Sequence, residues 1–341
     1  MRMPLSVLDL ALVTDGETSA TGLAAATKLA QLADRLGFTR FWVAEHHNMS
    51  SVASTEPPVL MAHLAANTEQ IRVGSGGVML PNHAPLVVAE QFAMLEALYP
   101  GRVDLGIGRA PGTDRNTMMA LRRTSDGSEE DQFPQHVLEV MALLGDVRIE
   151  GGLHEQFKAT PLLASTPLVA LLGSSGFSAR LAGLLGLPFG FAHHFGMGGT
   201  TQAAEIYREN FRPSPALAEP HLIVTAVAVC ANTGVAADAL MDSHRLFKYG
   251  LRTGQAIGFL SHDDAVNHPA VEAARSQPPN AIYGTPTTVV EGLEVLAEET
   301  GATELMVTVP VPNLNERLES LELLGNAWGL NSKSDRALAV G

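Results

Sequence analysis

Glu45, His46 and His47 close the short apolar run Phe41-Trp42-Val43-Ala44 and stand ahead of Pro57-Pro58. A carboxylate and two imidazoles at the C-terminal end of a strand suit proton chemistry in an α/β enzyme, because imidazole titrates near neutrality. Metal ligation is the competing use. Neighbours in an extended segment face opposite sides, so His46 and His47 do not grip one ion together, and the same geometry separates His193 from His194. A site drawing one histidine from each pair together with Glu45 is the metal alternative that remains; no metal is expected. His46 is expected to point inward and act, with His47 packing or bonding behind it.

A second constellation suits an anion. Gly173-Ser174-Ser175-Gly176 joins an apolar strand to a helix, so backbone N–H groups, two hydroxyls and the positive helix end converge on one point. Arg109, ending the neighbouring strand, would add a guanidinium fork that matches a phosphate monoester. Plainer readings stand beside these: Ser174 or Ser175 as an N-cap, and Arg109 as a surface ion pair with Asp104 or Asp114. Glycines gather on the same strand ends, in Gly74-Ser75-Gly76-Gly77 and Gly106-Ile107-Gly108, and would let a flat ligand approach the backbone. Nucleophilic catalysis finds less support, since Cys230 sits in the apolar run 222–231 and no Gly-x-Ser-x-Gly elbow occurs. Nor is there a Walker loop, and Arg109-Ala110-Pro111-Gly112 does not open a helix as a dinucleotide fingerprint requires.

The elements that must position these residues follow from a hydrophobic period that switches repeatedly between strand and helix. Strands are expected over 5–13, 41–44, 71–76, 103–108, 168–172, 189–192, 222–231 and 304–308. Helices are expected over 20–36, 59–68, 86–99, 132–144, 176–187, 200–211, 236–249, 287–300 and 315–328. Eight strands alternating with helices favour a closed (β/α)₈ TIM barrel, whose active site lies at the C-terminal strand ends. Two stretches break the rhythm, 111–131 after strand four and 250–284 after strand seven, and read as lids or pocket walls. Residues 1–330 form one barrel domain on this reading, with 331–341 as a frayed tail.

Bulk properties narrow the partners. The 341 residues are 46% hydrophobic, enough for a large core. A net charge of −14 repels phosphate backbones and anionic membrane surfaces, so neither nucleic acid nor membrane is an expected partner. One cysteine excludes an internal disulfide framework and any cysteine-based metal cluster. The N-terminus shows no basic region followed by an apolar block, and no apolar run is long enough to span a bilayer, so a cytoplasmic setting is expected.

Four motifs, in this order, carry a family resemblance: Ala44-Glu45-His46-His47, Val73-Gly74-Ser75-Gly76-Gly77-Val78-Met79-Leu80-Pro81, Gly101-Arg102-Val103-Asp104-Leu105-Gly106-Ile107-Gly108-Arg109 and Tyr283-Gly284-Thr285-Pro286. They resemble the bacterial luciferase-like, flavin-dependent monooxygenases along nearly the whole chain. The resemblance implies an eight-stranded βα barrel binding FMN, used as FMNH₂ delivered by a separate flavin reductase. The reduced flavin would react with O₂ to a C4a-peroxide and oxygenate a small organic substrate. It implies that His46 is the catalytic histidine beside the flavin. Gly76 and Gly77 would form a strand-three bulge under the isoalloxazine, often with a non-prolyl cis peptide. Arg109 and Ser174 would contact the phosphate, with the backbone of Ser175 to Phe177 nearby. A homodimer packed through the second and third barrel helices is also implied, where Met61-Ala62-His63-Leu64-Ala65-Ala66 offers small side chains; the alternative is that these simply pack on the barrel wall. Gly173 stands where the light-emitting members have a glutamate, so light emission and a long-chain aldehyde substrate are not expected. Two other functions stay open: deazaflavin-dependent hydride transfer on the same fold, and noncatalytic flavin binding.

Overall fold

The computed structural model describes residues 2–110, 112–122 and 132–330; the expected tail 331–341 lies outside them, as do Pro111 and residues 123–131 of the first insertion. Eight parallel strands close a barrel in the order β1 (Leu5–Asp9), β2 (Arg40–Val43), β3 (Arg72–Met79), β4 (Val103–Gly108), β5 (Leu168–Gly173), β6 (Phe189–Phe191), β7 (Leu222–Cys230) and β9 (Glu304–Thr308), with β9 pairing back onto β1. The (β/α)₈ reading of the sequence therefore holds. A ninth strand, β8 (Ile282–Gly284), pairs with the far end of β7 at residues 228–230. The strands are apolar because helices cover the outside while side chains fill the inside; all nine residues of β7 are buried.

Helices α1 (Ser19–Leu36), α2 (Pro57–Ala66), α3 (Pro85–Leu98), α4 (Arg115–Arg122) and α5 (Phe133–Leu143) precede β5. They are followed by α6 (Gly176–Leu185), α7 (Thr200–Asn210), α8 (Gly234–Leu240), α9 (Asp242–Thr253), α10 (His262–Val266), α11 (Val271–Arg275), α12 (Pro286–Thr300) and α13 (Leu314–Trp328). Local chemistry sets their ends. Thr18 caps α1 by accepting from the Thr21 N–H, and Gly37 ends it in the left-handed region at φ 91°. On α2, Met61, Leu64 and Ala65 are buried in the barrel's own wall, which leaves Val59, 70% exposed, as the large apolar residue facing outward.

The second insertion begins earlier than its composition suggests. The single helix expected over 236–249 is two, α8 and α9, because the chain turns at the fully buried Met241. Asp242 then starts a new helix, its carboxylate held by Arg245 at 3.0 Å and by Arg275 of α11 at 2.6 Å. α12 takes the place of the barrel helix before β9. Residues 231–285 instead form a cover beside the C-terminal strand ends.

At the opposite end the barrel is filled by charge. Arg40 lies between Asp104 (2.9 Å) and Glu304 (2.7 Å), Arg72 pairs with Asp104 (2.6 Å), and the Trp42 indole donates to Asp104 (3.0 Å). His221 and Ser6 complete the shell around Glu304 at 3.0 and 2.5 Å. Both carboxylates are fully buried. Burial pushes the Glu304 carboxyl up, but the hydrogen bond from His221 and the Arg40 guanidinium hold it at about 2.

Candidate active site

A cavity of about 510 Å³ opens among the C-terminal ends of the strands. His46, Gly76, Gly77, Arg109, Ser174 and Ser175 all line it. Phe177 does not; its ring lies 4.3 Å from the Arg109 guanidinium and holds that group in place by a cation–π contact.

His46 is held through its backbone N–H, which donates to the Ser54 carbonyl at 3.1 Å, and through its ring. Its Nδ1 lies 3.2 Å from the Gly112 carbonyl, and because a carbonyl only accepts, Nδ1 carries the proton and Nε2 keeps its lone pair. Burial holds the imidazole below its ordinary pKa, so the ring is neutral near pH 7. Gly112 makes this approach at φ 66°, where a Cβ would meet the Glu45 carbonyl oxygen at 2.8 Å. Glu45, fully buried, is a bracket rather than a reactant. Its carboxylate accepts from His47 (2.9 Å), His83 (2.9 Å), Asn82 (3.1 Å) and the Met79 N–H (2.9 Å), tying the loop after β2 to the end of β3. His47 thus bonds behind His46 as expected. Asn82 and His83 went unseen in the sequence because they follow a strand end without any spacing that points at Glu45.

The floor is built of glycine. The β3–β4 register shifts between Gly76 and Val78, and the Gly76–Gly77 peptide is cis. A Cβ on Gly77 would come within 2.7 Å of Leu172 and 2.9 Å of the Gly106 carbonyl oxygen. Around this floor stand Trp42, Leu8 and Met306, all buried.

The end formed by Arg109, Ser174 and Ser175 suits an anion. Ser175 occupies the N-cap position of α6, yet its hydroxyl accepts no cap hydrogen bond, so the plain capping role is unfilled. Asp104 is committed to Arg40 and Arg72, and Asp114 bonds Thr117 and Asn48; among the described residues neither pairs with Arg109. Guanidinium, hydroxyls and helix N-terminus at one end, with a glycine floor at the other, fit a planar cofactor bearing a phosphate.

The wall opposite comes from the cover. α9 contributes His244, Phe247, Lys248 and Leu251, and the turn after β6 contributes His194. Burial, reinforced by the Lys248 charge, pushes both His194 and His244 down to about 3. The unfolded imidazoles titrate near 6.5, so below that pH the unfolded chain binds protons that the folded one refuses. Stability is expected to be full above about pH 6.5 and to fall as the pH drops toward 3. Urea midpoints measured across that range check this, and His244→Phe should make the decline shallower.

A closed parallel barrel with a cavity at its C-terminal strand ends, lined by a histidine, an arginine and serines, defines a TIM-barrel enzyme. Residues 3–304 match the luciferase-like monooxygenase family, and the chain belongs to it, an oxidoreductase that incorporates molecular oxygen. It is 41% identical over 322 residues to a luciferase-like monooxygenase of Escherichia coli strain K12, covering 93% of this chain and 95% of that one. Identity to the N-acetyl-S-alkylcysteine monooxygenase of Bacillus subtilis strain 168 is 34% over 332 residues, covering 95% and 97%. The crystal structure of apo-MsnO8 has a TM-score of 0.87 at 37% identity, covering 97% of this chain and 99% of that one. Two more distant structures share the fold. The oxygenating constituent of 3,6-diketocamphane monooxygenase in complex with FMN has a TM-score of 0.69 at 19% identity, covering 97% and 100%. An F420-dependent secondary alcohol dehydrogenase has 0.70 at 16%, covering 96% and 99%. No helix among the described residues is long and apolar enough to cross a membrane.

Proposed function

We propose that this enzyme uses reduced FMN, supplied by a separate flavin reductase, and O₂ to oxygenate a small organic substrate. The observation that carries this reading is one cavity that joins the Arg109, Ser174 and Ser175 anion end, the Gly76–Gly77 floor and the free Nε2 of His46. Family membership and the FMN complex on the same fold support it.

Reduced FMN, when bound, supplies the electrons that activate oxygen. The residues do the rest. Arg109 neutralises the phosphate and Phe177 keeps its guanidinium aimed. His46, neutral and held through Nδ1, takes or returns a proton at Nε2 during oxygen transfer. Leu8, Leu10, Trp42 and Phe259 keep water from the reacting centre.

Arg109→Ala is expected to weaken FMN binding about 10- to 100-fold while leaving riboflavin binding unchanged, since only FMN carries the charge Arg109 answers. Fluorescence titration with both ligands checks it; equal losses for the two would refute the phosphate role. The F420-dependent neighbour motivates a second titration, and a deazaflavin bound much more tightly than FMN would shift the reading to hydride transfer. Homodimerisation through α2 and α3 belongs to the same proposal. Val59, Met94 and Leu98 supply exposed apolar surface there, and light scattering is expected to give twice the chain mass of 36.0 kDa.

A further inference from the structure

Lys248 gives the cavity a second cationic pole. The chain carries a net charge of −14, yet no aspartate or glutamate lines the cavity among the described residues, and its charged lining is Arg109 and Lys248. Arg109 belongs to the α6 end. Lys248 belongs to α9, where His244, Phe247, Lys248 and Leu251 follow the i, i+3, i+4, i+7 spacing that turns one helix face to one surface, here the cavity. Its ammonium donates to the Phe195 carbonyl at 3.1 Å, and no carboxylate pairs with it among the described residues. An ammonium has three donors, so capacity is left for a ligand. Burial and the nearby Arg252 charge hold Lys248 below the ordinary lysine pKa, as befits a cation lacking a counter-ion. The rest of the cavity wall is largely apolar, with Leu10, Leu12, Met49, Val52, Phe247 and Phe259 among its lining. His194 and His244 stay neutral near pH 7 and add no positive charge. One ammonium on a largely apolar wall matches a singly charged head group, whereas a phosphate ester calls for more donors.

We propose that Lys248 determines substrate specificity by pairing with the head group of an apolar organic monoanion, one carboxylate or sulfonate on a hydrophobic body. That this anion is the substrate rests on the proposed function; the anion preference itself is a property of the cavity.

Calorimetric titration with octanoate, octane-1-sulfonate, 1-octanol and octylammonium tests the proposal, with and without saturating FMN. The wild type is expected to bind at least one of the two anions about ten-fold or more tighter than the alcohol, with octylammonium weakest. With FMN saturating, so that the Arg109 end is filled, Lys248→Met is expected to erase that preference and Lys248→Arg to keep it. Retention of the preference in FMN-saturated Lys248→Met, or an alcohol bound as tightly as both anions, overturns the proposal. Whichever anion binds tighter identifies the head group. A protein that prefers the anion through Lys248 but binds no FMN would refute the flavin reading while leaving the monoanion subsite intact.

Discussion

Replacing His46 by alanine is expected to slow oxygenation about 10²- to 10⁴-fold, the usual worth of a positioned acid or base. FMN affinity should change little, because among the described residues the ring's hydrogen bond is to the Gly112 carbonyl and the Glu45 bracket does not depend on it. Single-turnover product formation with pre-reduced FMN separates the rate from reductase supply. Full rate with normal flavin binding in His46→Ala would remove His46 from the chemistry. The sign of the pH effect also follows. Burial lowers the His46 pKa, so the neutral, accepting ring persists as the pH falls below 6.5, and a limb due to His46 should lie on the acid side of that value. A limb above 6.5 would belong to another group.

Arg40→Met is expected to destabilise the fold by about 3–5 kcal/mol, the range found when one partner of a buried ion pair is removed. Arg40 is a 7%-exposed guanidinium bonded to two fully buried carboxylates. Its removal leaves Asp104 with Arg72 and Trp42, and Glu304 with His221 and Ser6. The folded Glu304 carboxyl sits at about 2, so its contribution is present above 4.5 and is lost as the pH falls toward 2. Without Arg40 that carboxyl would titrate higher, so the deficit relative to wild type should narrow as the pH falls below about 4.5. Urea unfolding at pH 7 and at pH 4 measures both effects. A loss under about 1 kcal/mol at pH 7 would mean that the remaining partners suffice.

The barrel was readable because parallel strands buried on both faces are written as unbroken apolar runs, and the eight expected strands are the eight that close it. Arg109, Ser174 and the glycines were readable because strand-end position is itself a functional coordinate in such a barrel. What the sequence hid was tertiary. Helix periodicity over 236–249 shows an amphipathic face but not what that face covers, so α9 read as an ordinary barrel helix. Its break at Met241 depends on Arg275, distant in sequence, reaching Asp242. His244 and Lys248 therefore went unnoticed, although their spacing with Phe247 and Leu251 was visible. β8 is three residues long and pairs only with the tip of β7, too short to leave a periodic signal. Arg40, Asp104 and Glu304 lie at or next to strand starts, and only closure of the barrel turns those starts inward.

The charged plug at the base also governs traffic. With Arg40, Asp104 and Glu304 packed into one end of the barrel, the cavity that holds His46 lies at the other, among the C-terminal strand ends and α9. Two guests that share that one end of the barrel are expected to bind in a compulsory order, which steady-state kinetics with each varied in turn checks.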